Sequence, residues 1–132
     1  MAVGEGIRTR LLAVSGVTDI TSAVYVSDTP QSATEPRIEV HELNLDPMVV
    51  MEGTSGLRSA TIDIDCKSTT PVKAKALADA VEAAFNDFTG AAGDITVKAV
   101  VFQDRSDSTE APSSGSQKSV YVTTLDYLVQ YT

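Results

Sequence analysis

Ile7, Leu11 and Val14 recur at i, i+4 and i+7, the spacing of one face of an amphipathic helix. Gly4 and Gly6 weaken its first turn, so the pattern over 3–14 predicts a helix beginning near Glu5 and stopped by Ser15-Gly16. A short helical turn is expected over Val17–Ser22. A run of β-formers follows over Ala23–Ser27, then a polar loop with two prolines over Asp28–Pro36. Arg37–Leu45 alternates, with Ile38 and Val40 inward and Arg37, Glu39 and His41 outward. The alternation breaks at Glu42-Leu43, where a bulge is expected. Asp46–Gly56 reads as a loop carrying an unusual apolar insert, Met48 to Met51.

The clearest strand is Leu57–Lys67. Ala60, Ile62, Ile64 and Cys66 share one parity; Ser59, Thr61, Asp63, Asp65 and Lys67 share the other. Such strict alternation sets one side on a core and leaves the other wet or at an interface. The strongest helix signal comes next. Thr70 fits the N-cap and Pro71 the first helical position, and Leu77, Val81, Ala84, Phe85 and Phe88 line one face. Gly90 stands where a C-terminal stop belongs.

Ala92-Gly93-Asp94 turns the chain into a strand over Ile95–Asp104, with Ile95, Val97, Ala99 and Val101 on one face. Arg105–Lys118 is serine-rich and poor in apolar residues, so it reads as a mobile hairpin loop. Ser119–Tyr131 is the last strand. Tyr121, Leu125, Tyr127, Val129 and Tyr131 share one parity, while Val120, Val122 and Leu128 share the other. A strand apolar on both faces belongs in the middle of a sheet or in an interface. Together these elements predict a single α+β domain over 1–132. Its sheet would be mixed and mostly antiparallel, with about five strands and two helices packed on one face.

The chain has 132 residues, of which 42% are hydrophobic and 21% charged, a normal globular composition that excludes a disordered chain. No run approaches the roughly 20 apolar residues of a membrane span. The opening MAVGEGIRTR lacks the apolar segment of a signal peptide. A single cysteine, Cys66, excludes an internal disulfide framework and a multi-cysteine zinc site. The net charge is −8 and the ten basic residues are scattered, which argues against tight nucleic-acid binding. An acidic surface repels DNA, useful where DNA slides past; it also simply keeps a protein soluble.

Catalytic chemistry finds no footing. His41 is the only histidine and sits on a strand among glutamates, without the oriented partners of a triad. Cys66 ends an apolar face and reads as packing. Asp63 and Asp65 lie on one side of a strand, roughly 7 Å apart. No further carboxylate or histidine has a spacing that completes a metal shell, so a solvated face or a salt-bridged interface is the better reading. Asp104 and Asp107 flank Arg105 at the base of the serine-rich stretch without matching a calcium loop. No glycine-rich phosphate loop is present. Hence no catalytic, cofactor or metal residue is expected. Partner contact is instead the expectation for Met48, Val49, Val50 and Met51, whose alternative is a loop folded over the core. Asp63, Asp65, Asp104 and Arg105 join them as candidate interface residues.

The succession GIRTRLLAVSGVT, PRIEVHEL, SGLRSATIDIDCKS, PVKAKALADAVEAAFNDFTG, ITVKAVVFQDRSD and VYVTTLDYLVQY resembles the tail terminator, or tail completion, proteins of long-tailed bacteriophages and gene transfer agents. Arg58–Gly90 and the closing strand carry most of the likeness. The resemblance implies a structural virion protein without enzymatic activity or cofactor, made in the host cytoplasm. It implies a homo-oligomeric ring of about six copies on the head-proximal end of the tail tube, closed by heterologous contacts. That ring would end tube polymerisation, present a surface for head joining and let genome DNA pass without specific binding. Its partners would be the major tail tube protein and a head–tail connector or neck protein, with no membrane. A head completion or stopper protein, another ring of the neck, is the neighbouring alternative. The serine-rich loop over 106–117 departs from the family pattern.

Overall fold

The computed structural model describes residues 3–21, 23–26, 36–50, 53–93, 95–110 and 120–132, with the backbone alone at 44–50 and 53–57. Helix α1 (Val3–Leu12) and the short α2 (Ser15–Thr18) precede strands β1 (Val24–Val26), β2 (Arg37–Val50) and β3 (Gly53–Ser68). Helix α3 (Pro71–Phe85) leads to β4 (Gly90–Ala92), β5 (Ile95–Glu110) and β6 (Val120–Tyr131). The strands form one six-stranded sheet in the order β1-β2-β3-β6-β5-β4. Every pairing is antiparallel except β1 with β2. The mixed, mostly antiparallel α+β architecture read from the sequence is therefore the one observed, with β4 added and the short helical turn expected over Val17–Ser22 found earlier, as α2.

The core follows the predicted parities. Ala60, Ile62, Ile64 and Cys66 of β3 are buried with Ile38 and Val40 of β2 and Leu125, Tyr127 and Val129 of β6. Val3, Ile7 and Leu11 of α1 and Leu77, Ala78, Val81 and Phe85 of α3 join the same core. The other sheet face carries no helix among the described residues. Thr70 caps α3 as its sequence suggests, accepting the Lys73 N–H at 3.3 Å ahead of Pro71.

Helix ends depart from the sequence reading for physical reasons. α1 begins at Val3, ahead of Glu5, because its glycines serve close packing. A Cβ on Gly4 would stand 2.6 Å from Glu42 Oε1, and one on Gly6 2.7 Å from the Ala92 carbonyl oxygen. The Gly4 N–H donates to Glu42 Oε1 at 2.6 Å, so a carboxylate from the sheet completes the helix N-terminus. α3 stops at Phe85 because Asn86 leaves the helical region and Asp87 turns left-handed at φ 58°. Gly90, expected as the stop, opens β4 with φ 124°.

Strand limits depart too. The expected loop Asp46–Gly56 is a hairpin: β2 runs to Val50 and pairs Val49 with Thr54 and Val50 with Gly53. Backbone pairing needs no polar or apolar side chain, and β-branched Val49 and Val50 suit a strand. A register shift between Pro47 and Val49 accommodates the missing proline N–H. Met51 lies outside the described residues. Likewise Arg105–Glu110, expected as loop, continues β5 and pairs with β6 as far as Glu110 opposite Val120. The remainder of that stretch, 111–118, with Ser119 at the expected start of the last strand, and residues 27–35, most of the expected polar loop, lie outside the described residues.

Two register shifts reassign the faces of β5. One falls between Val97 and Ala99, the other between Phe102 and Asp104. Ile95 and Val97 are buried as expected, but beyond Lys98 the parity flips. Val100 becomes the buried residue, while Val101 is half exposed. β2 holds the shift predicted near Glu42-Leu43, between Glu42 and Asn44.

Candidate interface on the open sheet face

Cross-strand register assembles the polar face. His41 pairs with Asp63, Asp63 with Asp126, and Asp126 with Asp104. One row across four strands thus carries a histidine and three carboxylates. Two of the expected interface residues, Asp63 and Asp104, fall in this row and are joined through Asp126, which the sequence reading did not single out. Its period-two position on β6 was the available signal. Burial raises the Asp63 carboxyl above the ordinary range, and the charges of Asp126 and Asp65 push it in the same direction. Asp126 Oδ1 is buried and makes no hydrogen bond among the described residues.

The adjacent row is better neutralised. Asp65 Oδ1 accepts the Thr124 hydroxyl at 2.7 Å, and His41 Nε2 lies 3.3 Å from Asp65 Oδ2 and 3.5 Å from Glu39 Oε1. Arg37 Nε donates to Glu39 Oε2 at 2.8 Å, and Lys67 Nζ lies 3.2 Å from Glu39 Oε1. Lys67 also reaches across β6 to Glu110 Oε1 at 2.9 Å. Burial alone would raise the Glu39 carboxyl, but hydrogen bonds and charge from Arg37 and Lys67 hold it below its usual range. Burial alone would lower the Lys67 ammonium; Glu110 and Glu39 raise it instead. Potential ligand atoms of Glu39, His41 and Asp65 lie within 4.8 Å of one another, a grouping the sequence spacing did not reveal. Glu39 is already held by two cations, so the cluster works as an ion-pair network.

Asp104 and Arg105 do not form a loop base. They sit mid-strand on opposite faces of β5. Arg105 points to the helix layer, where its guanidinium meets Asp79 and Glu82 of α3, each at 2.8 Å. This pair of contacts ties the β5–β6 hairpin to α3. Met48, Val49 and Val50 lie beyond the level of Pro47 and Arg58, at the end of the β2–β3 hairpin. The structure therefore does not bring them to the acidic row. Cys66 is buried, and burial pushes its thiol well above its normal range, as packing rather than reactivity requires.

Register also fixes where the two long hairpins go. β2 and β3 continue past the level of Val97 and Tyr131, whereas β5 and β6 continue past that of Arg37 and Lys67. The hairpins project from opposite ends of the sheet. This arrangement defines a class of small α+β folds with a charged open sheet face and two hairpins extending from opposite ends of the sheet.

The chain belongs to a family of structural proteins of tail completion: the model described as "Tail completion protein gp17" matches residues 5–125. No curated protein matches the chain. The fold is similar to a chain in a solved structure titled "Virion of native gene transfer agent (GTA) particle". That likeness has a TM-score of 0.73 at 14% identity and covers 98% of this chain and 94% of the other.

Proposed function

We propose that this protein forms a ring, about six copies by closed heterologous contact, on the head-proximal end of a tail tube. There it ends tube polymerisation and offers the surface that joins the head. The family match over residues 5–125 is the observation that carries this reading. Its partners are copies of itself, the tail tube protein and a connector or neck protein, and its place is the virion. It works by docking, without catalysis or cofactor.

Physical scale supports the reading. A 132-residue globule has a radius of gyration of about 14 Å, and six such bodies in a ring enclose an opening of about 35 Å. A DNA duplex fits through it. In this ring the helix-free face, with Asp63, Asp65 and Asp104, turns toward the lumen. Its carboxylates, on a chain of net charge −8, repel the phosphate backbone and let the genome pass. The β2–β3 hairpin with Met48, Val49 and Val50 and the β5–β6 hairpin, braced by Arg105, project to opposite ends of the sheet. One contacts the tube and the other the head connector.

The test replaces Val49 and Val50 with aspartate and images the resulting particles by electron microscopy. Tails of irregular length, or tails detached from heads, are expected. Tails of normal length joined to heads would remove that hairpin from the mechanism. Particles lacking the protein altogether, yet with ordinary attached tails, would overturn the function.

A further inference from the structure

The sheet has two partly open edges. β1 pairs only with Ile38–Val40 of β2, and β4 pairs only with Ile95–Val97 of β5. Among the described residues, nothing else pairs on the outer side of β2 beyond Val40 or of β5 beyond Val97. Backbone N–H and C=O groups along such an edge seek partners.

The two open stretches stand at the same height. Glu42 is level with Phe102 through Ile62 and Tyr127, and Asn44 is level with Val101 through Thr61 and Leu128. Both edges have a register shift at this height, at Leu43 on β2 and at Gln103 on β5. Among the described residues, three of the four exposed large apolar ones also gather here. Leu43 is 54% exposed, Val101 50% and Phe102 43%. Further along, Asp46 is level with Ala99, beside the exposed Lys98. An acidic position on one edge thus matches a basic one on the other.

From these matched edges we infer that the open edge of β5 in one copy pairs antiparallel with the open edge of β2 in the next copy. The inference rests on the ring reading and specifies its joint. Strand direction alternates across β2, β3, β6 and β5, so a following β2 continues the alternation without any axial slip. The contact is heterologous, as ring closure demands, because edge β5 differs from edge β2. Leu43 of one copy then stands level with Val101 and Phe102 of its neighbour, which lie on opposite faces of β5, and the joint adds a strand ladder.

Cysteine cross-linking on the full-length chain, with and without purified tail tubes, tests the joint. Leu43→Cys and Val101→Cys are introduced singly and together. β2 and β5 lie three strand spacings apart, roughly 14 Å, so the two new thiols cannot bridge within one chain. Native Cys66 is buried and does not compete. On oxidation the double variant is expected to give a ladder of covalent multimers up to the complete ring, while each single variant stays monomeric on a non-reducing gel. In Phe102→Asp, assembled rings should fall at least tenfold with the circular-dichroism spectrum unchanged. Rings seen by native mass spectrometry or microscopy without a ladder would overturn the joint and leave the ring standing. A covalent dimer from either single variant would reveal like-to-like pairing and overturn it as well. No assembly of the native chain under any condition, tubes included, would overturn the ring reading itself.

Discussion

Asp63 and Asp126 oppose each other across β3 and β6 on the helix-free face, with Asp104 next in the same row. Like charges directly opposite destabilise a strand pair by roughly 0.2–1 kcal/mol. Asp126→Asn should therefore raise stability by about that amount at pH 7, read as a higher urea midpoint with unchanged slope. A loss of stability would mean that the carboxylate makes a contact the row does not explain.

The same pair sets a pH dependence. Asp63 has a raised folded pKa against an ordinary value of 3.8, so the folded chain binds its proton more tightly than the unfolded chain. Its contribution to stability is greatest near and below 3.8 and falls as pH rises through the folded pKa. Comparing Asp63→Asn with the native chain between pH 3.5 and 7, the variant's advantage should grow toward neutrality. Those bounds bracket the ordinary carboxyl range of about 4. A constant difference would refute the assignment.

Glu39 behaves oppositely. Its folded pKa lies below the ordinary 4.5, so its contribution is complete above 4.5 and is lost as pH falls through the folded value. Glu39→Gln should cost about 1–3 kcal/mol at pH 7, because Lys67 is left with 8% side-chain exposure and Glu110 as its remaining ion-pair partner. Thermal melts at pH 7 and pH 4 should differ less in the variant than in the native chain.

The glycines make a contrasting pair. Gly6→Ala should destabilise by about 1–3 kcal/mol despite better helix propensity, since the new Cβ would meet the Ala92 carbonyl oxygen and Ile95. Gly16→Ala has nothing within 4 Å and should be neutral or stabilise by up to roughly 1 kcal/mol. Denaturant titration of both variants checks the difference in sign.

Arg105→Ala should loosen the β5–β6 hairpin from α3 at a cost of about 1 kcal/mol, since the pair is only partly buried. Hydrogen exchange should quicken along Arg105–Glu110 and its β6 partners while β2 and β3 keep their protection.

What the sequence conveyed, and what it withheld, follows from range. Period two on β3 and the cap of α3 are local signals, and the buried parity of β3 and the start of α3 fall where those signals placed them, although β3 begins earlier and α3 ends earlier than expected. The glycines of α1 were legible only as weak helix formers, because the reason for them, Glu42 and Ala92, lies elsewhere in the chain. Parity on β5 failed at Lys98 since a bulge leaves no mark in a run such as Val97 to Phe102. The acidic row was half visible: Asp63 and Asp104 stood out, but their neighbourhood through Asp126 is a product of strand order. Arg105 looked like a loop residue because Asp79 and Glu82, which hold it, come from a helix made earlier in the chain.

The placement of β6 has a consequence for how the molecule comes together. β2 and β3 form one hairpin and β4 and β5 another, and both are complete in sequence before Val120 is synthesised. Neither touches the other in the sheet until β6 slots between β3 and β5. The last strand in the chain is therefore the keystone of the sheet. A subunit missing that last piece would keep its two sheet halves bridged, among the described residues, by α1 and α3 alone, with no continuous wall to contribute to any assembly.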